Sequence, residues 1–586
     1  MNERRTTKQI IGDHTGGERR SRLYDPKALE RLSHDFGQWK GKVLGDQDES
    51  SLQVVPRSLL GSDIPRQMVY TPLSSTSLDS TEEIGLPGEP PFTRGIHATM
   101  YRGKAFTMRQ LSGAGSCEYV NGRIRMLLDN GATGVNLILD LPTIQMFDSD
   151  EPEATGQVGI VGVPIDCVQD MDTIFKDIPV DKLSVSLVTH YPRNTAILMS
   201  MYLAMAELRG IPWDVLAGSV QNDFVMETVV RSAPEYIQPR DAFRIQCDNL
   251  EYLRKNVPRW NAITFNGYNL REFGTSGITE MAVALANAIA TLNEMEKRGY
   301  SAEWAAERLA FFWCFGNDFF EEAARLRAVR RLWYHIMRYR FQSTNPRAMW
   351  MRCHVQTSGL SLTREEPMNN IVRAGYQALA AVLGGTQSLH VDSYDEAYSV
   401  PSEEASLLSL RTQQIIEVET GVTQVADPLG GSFYVEALTD EIETRILDEL
   451  DEIEKMGGII AAVESGWLHR KVVRFIEREQ RLIDERKILI VGRNQYRNSQ
   501  SVVPDIWTHE HDETLEREMC TKVKLFRQGR EAQKLRDCLG RVKQACEQGA
   551  NVMGPCIEAA RAGATEGEMR RAFVEALGSW IPSNCT

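Results

Sequence analysis

An α/β barrel, (β/α)8, of the TIM type, with an extended N-terminal arm and a C-terminal helical region, is the fold the sequence predicts. Three observations predict it. Between about 91 and 430 lie eight short β-rich runs: VNLILDL, LSVSLVT, DVLAGSVQ, FRIQ, AITFNGYN, LAFFWCF, MRCHVQTS and QSLHVDS. Helix-patterned stretches separate them, such as ITEMAVALANAIATLNEMEKRG (278–299), whose apolar residues recur at helical spacing. A chain of 586 residues is also too long for one compact unit and suits a barrel-sized domain with appendages.

The flanks read differently. Residues 1–90 are polar and carry LSSTSLDSTEE and LPGEPP, which predicts an arm with a short helix around 25–38 that wraps another element. After 430 the pattern turns helical and charged, as in LTDEIETRILDELDEIEKMGG and RKVVRFIEREQRLIDER, with i,i+4 acid-base pairs suited to solvated helices. The expected division is therefore 1–90, 91–430 and 431–586.

Charge and cysteine usage exclude several functions. With 66 basic and 80 acidic residues the net charge is -14, which repels nucleic-acid backbones and anionic membranes. Ten cysteines form no C-x-x-C pair, so neither a zinc site nor a disulfide framework is indicated, and no metal ligands are assigned. The start MNERRTTKQ lacks a signal peptide's apolar segment, and no apolar run approaches the roughly 20 residues that span a bilayer. A cytoplasmic protein is expected.

The strands are unusual for a barrel, whose interior Val, Ile and Leu normally fill. They carry Asn136, Ser184, Ser186, Ser219, Gln221, Thr264, Asn266, Arg352, His354, Gln356 and Ser388, spaced so that many share one face. A single Ser or Thr can simply bond nearby backbone. Polar groups on nearly every strand favour a hollow interior that offers hydrogen bonds to a long ligand.

Eight segments carry a family resemblance: PFTRGIHATMYRGKAFTMRQLSGAG (91–115), ILDLPTIQMFDSD (138–150), AGSVQNDF (217–224), FNGYNLREFG (265–274), FFWCFGNDFF (311–320), CHVQTSGLSLT (353–363), GGTQSLHVDSYDEA (384–397) and ADPLGGSFYVEALT (426–439). In order, from about 90 to 570, the chain resembles the large subunit of methylmalonyl-CoA mutase and its relatives. That resemblance implies an acyl-CoA ester along the barrel axis and adenosylcobalamin over the carboxyl ends of the strands. It also implies radical 1,2-rearrangement of an acyl-CoA carbon skeleton, of the methylmalonyl-CoA/succinyl-CoA type. The cofactor then carries the chemistry, which accounts for the lack of a Ser-His-Asp or paired-carboxylate constellation.

Residue by residue, the resemblance places Thr99, Lys104, Thr107 and Arg109 on the CoA nucleotide and pantetheine arm, where a cation facing phosphate bonds strongly. Asn136, Ser186, Ser219, Arg352 and His354 line the ester's tunnel, and Gln221 contacts the thioester. Tyr268, Glu272, Gln356 and Glu396 face the corrin or its ribose, and Leu139, Leu141 and Asp392 lie on the same cofactor side.

The acyl positions depart from methylmalonyl-CoA mutases, which have Tyr at Leu111, Tyr at His97 and Ala at Ile138. Arg231 matches the arginine that pairs with the substrate carboxylate, and a buried Arg without an anion is costly. The 2-hydroxyisobutyryl enzymes have Ile at Leu111 but Asp at Ile138. Asn269 replaces a histidine near the thioester oxygen; it can donate but cannot carry a proton charge. Branched or hydroxylated acyl-CoA substrates, and a catalytically silent homologue, remain alternatives.

No D-x-H-x-x-G motif, whose His ligates cobalt in this family, occurs in the sequence. The resemblance therefore implies a separate small cobalamin-binding subunit in a hetero-oligomer, with a G-protein chaperone as a further partner.

Overall fold

The computed structural model describes residues 5–15, 25–45, 59–67, 69–75, 83–230, 236–497 and 506–580. Nine strand segments follow in chain order: β1 (Thr107–Ser112), β2 (Gly134–Leu137), β3 (Ser184–Leu187), β4 (Ala217–Val220), β5 (Trp260–Asn261), β6 (Ile263–Asn266), β7 (Leu309–Phe315), β8 (Cys353–Thr357) and β9 (Ser388–His390). They form one sheet in the order β5-β4-β3-β2-β1-β9-β8-β7-β6, and every pairing is parallel. The two ends of that order, β5 and β6, are successive pieces of one strand interrupted at Ala262. The Thr264 N–H reaches the Gln221 carbonyl at 3.2 Å, so the sheet closes on itself. Counted as one strand, the two pieces make the eight of a TIM-type barrel.

Two elements differ from the sequence expectation. FRIQ (243–246) is not a strand; it lies inside the helix Pro239–Asn256. Four residues are too few to separate a helical period from a strand period, and here Ile245 and Gln246 both turn inward, with the Gln246 amide bonded to Asn287 and Thr291. The strand missing from the expected set is TMRQLS, β1. Its burial alternates, with Met108, Gln110 and Ser112 packed outward and Thr107, Arg109 and Leu111 half-buried inward. A strand with polar residues on its inner face lacks an apolar run to announce it.

Local chemistry sets the element ends. Asp140 closes β2's extension by N-capping the helix Leu141–Gln145: its carboxylate accepts from Thr143 N–H at 3.0 Å and Gly159 N–H at 2.8 Å. Ser276 caps the helix Gly277–Lys297, and Asp25 caps Pro26–Leu44 in the arm. Among the described residues no helix is long and apolar enough to cross a membrane.

Helix Phe319–His335 is the hub of the molecule, because its arginines are buried and each finds carboxylates or carbonyls. Arg325 pairs with Glu280 and Glu322, which also hold Arg271; all four side chains are at most 1% exposed. Arg327 pairs with Asp427 and Glu436, and Arg331 with Asp440 and Glu443, which fastens the appended helix Phe433–Lys455 to the barrel. Arg330 donates to the carbonyls of Phe92, Thr93 and Gly384. The arm is tied to the same hub, for Ser62 donates to Glu321 through both its N–H and its hydroxyl.

Removing one partner of a buried ion pair strands the other. Glu322→Ala should therefore cost about 3–5 kcal/mol in urea unfolding, since Arg271 and Arg325 would share Glu280 alone. A loss below about 1 kcal/mol, the scale of an exposed pair, would show that the network does not bear on stability.

Candidate active site

The inward face of β1 continues around the barrel through the parallel register. Arg109 lies opposite Gly134, which lies opposite Ser184; Leu111 lies opposite Asn136, then Ser186, then Ser219. On the other side Phe312 lies opposite His354, His354 opposite Ser388, and Ser388 opposite Thr107. The barrel is thus lined mainly by small or polar side chains rather than by bulky aliphatic ones.

At the amino ends of the strands the bore opens into a cavity of about 590 Å³ whose lining includes Lys104, Thr107, Lys182, Ser184 and Arg259. This mouth is cationic. Arg352 lies over the Trp350 ring at 5.6 Å, and burial together with Arg308 and Arg347 lowers its guanidinium to about 10. The His97 ring meets Trp350 edge-on at 5.4 Å; lost hydration, then Arg352 and Lys104, hold it below its ordinary value. Thr99 stands on the exposed turn at this end. Asp181 and Glu417 line the same cavity, so its three lining cations exceed its carboxylates by one and Arg352 adds to that surplus, which favours binding of an anion.

Along the middle, Arg109 reaches across Gly134 to donate to the Ser184 hydroxyl. A side chain at Gly134 would meet Arg109 Cγ at 3.1 Å and Nε at 3.2 Å, so the glycine is what lets the guanidinium lie flat on the wall. Ser219 donates to Ser186 at 3.2 Å, and His354 Nδ1 meets the Ser388 hydroxyl at 2.9 Å. Burial, then Arg109 and His390, keeps His354 well below its ordinary value and therefore neutral. Four buried polar atoms along the wall, Asn136 Oδ1, Thr264 Oγ1, His354 Nε2 and Arg109 Nε, have no hydrogen-bond partner among the described residues. Buried polar atoms are normally paired, so a run of orphans marks a place for a polar ligand.

The carboxyl ends gather the remaining groups. Asn266 N-caps the helix Gly267–Glu272, and its side-chain amide donates to Gln221 Oε1 at 2.9 Å and Asn269 Oδ1 at 3.0 Å. That helix presents Tyr268, stacked on Phe312 at 4.6 Å, and Glu272. Glu272 accepts from the Ser358 hydroxyl at 2.7 Å, from Leu360 N–H at 2.8 Å and from the Cys314 thiol at 3.1 Å. Burial, then Asp392, raises it to about 7. Glu396 is also held well above the usual carboxylate range, by burial, then by Asp392 and Glu272. A Cβ on Gly359 would lie 3.2 Å from Glu272 Oε2 and 3.4 Å from Glu396 Cγ, so glycine keeps the space between the carboxyls open. Gln356 donates to Tyr268 Oη at 2.7 Å and to Asp392 Oδ1 at 2.8 Å. The result is a rim of carboxyl, amide and phenol groups suited to ligand hydroxyls and amides.

The structure therefore brings Gln221 together with Asn269, and Tyr268, Glu272, Gln356, Asp392 and Glu396 with one another. Leu111 and Ile138 are half-buried beside the bore. Leu139 is not brought to it: it is 1% exposed in the hydrophobic core, bridged to Val163. Leu141 begins the helix after Asp140, and Arg231 lies outside the described residues. Sequence reasoning missed Arg308, Phe312, Cys314 and His390. Arg308 directly precedes β7 as Arg352 precedes β8, a placement that marks a cation at the strand entrance.

Comparison with known proteins gives this geometry a context. The family model described as methylmalonyl-CoA mutase matches residues 60–579. The 2-hydroxyisobutanoyl-CoA mutase large subunit of Aquincola tertiaricarbonis is 39% identical over 550 residues, 93% of this chain and 96% of its own. Methylmalonyl-CoA mutase of Rhizobium meliloti (strain 1021) is 37% identical over 91% of this chain and 74% of its own, and the mitochondrial enzyme of Homo sapiens 36% identical over 88% and 68%. A hollow parallel barrel of this lineage is an acyl-CoA mutase, an isomerase of a cobalamin-dependent kind. The chain belongs to the methylmalonyl-CoA mutase family.

Two outcomes follow from the geometry. Gly134→Val should push Arg109 off Ser184 and weaken CoA ester binding by roughly tenfold in titration calorimetry, about the worth of one charge-assisted hydrogen bond; unchanged affinity would exclude Arg109 from the binding surface. Glu272 sits higher folded than its ordinary 4.5, so its contribution to stability is full below about 4.5 and is lost as pH rises through about 7. Glu272→Gln should accordingly gain melting temperature relative to the wild type from pH 4 to pH 8, and a constant gap would refute the shift.

Proposed function

We propose that this chain is the large, ester-binding subunit of a two-component adenosylcobalamin-dependent mutase acting on a short acyl-CoA of the methylmalonyl-CoA/succinyl-CoA type. The observation that carries this reading is the run of orphaned polar atoms between a cationic mouth and a hydrogen-bonding rim. A CoA ester is anionic at one end, polar along its arm and reactive at the other, and it matches that gradient.

In this reading Lys104 and Arg352, joined by Arg308, hold the CoA phosphates, with His97 and Thr99 at the same entrance. Thr107, Arg109, Asn136, Ser186, Ser219 and His354 bond the pantetheine arm. Gln221 and Asn269 orient the thioester, Leu111 and Ile138 shape the acyl pocket, and Arg231 pairs with the acyl carboxylate. Tyr268, Glu272, Gln356, Asp392 and Glu396, with Leu141, hold the cofactor, and the rim's carboxyl and amide groups fit a ribose and corrin amides. When bound, adenosylcobalamin supplies a carbon radical able to take a hydrogen atom from the acyl chain. The protein's own part is to fix the ester's position and keep water out, which a buried bore does.

The relative named as a large subunit supports a separate small subunit in a hetero-oligomer; in this reading that subunit binds cobalamin with a histidine on cobalt, and a G-protein chaperone serves the assembly. That relative and the apolar Leu111 and Ile138 favour, as a second reading, a branched or hydroxylated acyl group.

Reconstitution with a cobalamin-binding small subunit, adenosylcobalamin and a panel of acyl-CoA esters, read by product mass and cob(II)alamin absorbance, decides between these. Product formation from a carboxylated ester supports the first reading, from a branched ester the second; turnover without cobalamin overturns both. Arg231→Ala should raise KM for carboxylated esters on the order of a hundredfold, as loss of a buried charge partner does, and leave uncharged esters nearly unaffected. An equal change across the panel removes Arg231 from the acyl site.

A further inference from the structure

The seam between β1 and β9 is paired through backbone only at Thr107 with Ser388 and Met108 with Leu389. Beyond that the strands part, and two side chains fill the gap. The Gln110 amide donates to the carbonyls of Ser406 at 3.2 Å and Val391 at 3.4 Å, while its oxygen accepts from Gln413 Nε2 at 2.9 Å. Those partners fix which end of the amide is oxygen. His390, 3% exposed, sets its ring against that oxygen.

His390 Nδ1 lies 2.9 Å from Gln110 Oε1 and 3.1 Å from the Arg109 carbonyl, both acceptors. The Leu111 N–H also points at Nδ1, from 3.4 Å. Two nearer oxygens outweigh one more distant donor, so Nδ1 carries a hydrogen. On the opposite edge Nε2 lies 3.3 Å from Asp392 Oδ1. Asp392 is itself surrounded by donors, the Gln356 amide at 2.8 Å and the Thr357 hydroxyl at 3.1 Å, which suits an anion. Each ring nitrogen thus has an oxygen as its nearest polar neighbour, Nδ1 at hydrogen-bond geometry and Nε2 at ion-pair distance.

We propose that His390 is a positioning residue: as an imidazolium paired with Asp392 it fixes the Gln356 amide, and through it the Tyr268 phenol, at the reactive end of the bore. The chain of contacts has one polarity. Asp392 takes one hydrogen of Gln356 Nε2, the other goes to Tyr268 Oη, and the phenol's own hydrogen is left to donate into the bore. Tyr268 keeps that hydrogen, because burial, then Glu272 and Asp392, holds the phenol well above its ordinary value. The titratable and charged groups around His390 are Asp392 beside it, Arg109 and the neutral His354 on the flanking strands, and Glu272 and Glu396 beyond Asp392. A cation at His390 offsets part of the negative charge at that rim. The inference rests on the proposed function insofar as Tyr268 faces the reacting groups; the protonation of His390 does not depend on it.

Two measurements test it. In the full chain alone, labelled with 15N-histidine, the ring signals assigned to His390 by difference from His390→Gln should show hydrogen on both nitrogens at neutral pH, and Asp392→Asn should remove it from Nε2. An accepting, unprotonated nitrogen in the wild type overturns the proposal, whether or not any ester turns over. In the reconstituted mutase, His390→Gln and Asp392→Asn should each lower kcat by about tenfold or more, the scale on which outer hydrogen-bond partners of a site act, with KM for the ester within about twofold. Unchanged kcat, or KM rising in step with kcat loss, overturns it. If His390→Gln fails to fold by circular dichroism, the ring signals that Asp392→Asn displaces supply the assignment, and their state in the wild type still decides.

Discussion

The buried ion network of Arg271, Glu280, Glu322 and Arg325 is the constraint on which the rest depends. Arg271 belongs to the same short helix as Tyr268, Asn269 and Glu272, so its anchorage sets where those three side chains stand. The carboxylates reach the backbone as well: Glu280 accepts from Cys314 N–H at 2.7 Å and Glu322 from Gly316 N–H at 3.0 Å, at the carboxyl end of β7. Isolated, each charge would be costly to bury; joined, they lock the loop ends of two strands to two outer helices. A site built on short loops becomes as rigid as the scaffold behind it.

A hollow interior removes the usual source of barrel stability, and the molecule compensates outside the cylinder. Helix Pro192–Leu208 is buried along most of its length, and the appended helices pack against the barrel's outer shell. Inside, glycine and serine take positions that Val and Ile fill elsewhere. The energetic weight of the fold thus lies between the strands and the helices, and the axis is left for a ligand.

Much of this could be read from the sequence, for a physical reason. Polar residues recurring on strand after strand have few explanations besides a lined cavity, and the register places Asn136, Ser186, Ser219 and His354 on one inner surface. What escaped was of two kinds. β1 was hidden because a strand with Thr and Arg inward and Gln and Ser outward has no apolar signature, and FRIQ imitated one while turning with a helix. His390, Phe312 and Cys314 were hidden because their significance comes from neighbours distant in sequence, such as Gln110 and Glu272. Asp140, an acid at a strand's end, accepts backbone N–H groups at both of its oxygens and so serves the fold.

The cationic entrance has a consequence for which molecules the barrel accepts. Lys104 and Arg352 sit at the amino ends of the strands, whereas Gln221 and Tyr268 stand at the carboxyl ends, with the whole barrel wall between them. A ligand clamped by its phosphates therefore has its far end delivered to one depth, and the wall acts as a gauge of molecular length. Truncated thioesters can enter such a passage, but without an anchor at the threshold nothing tells them where to stop.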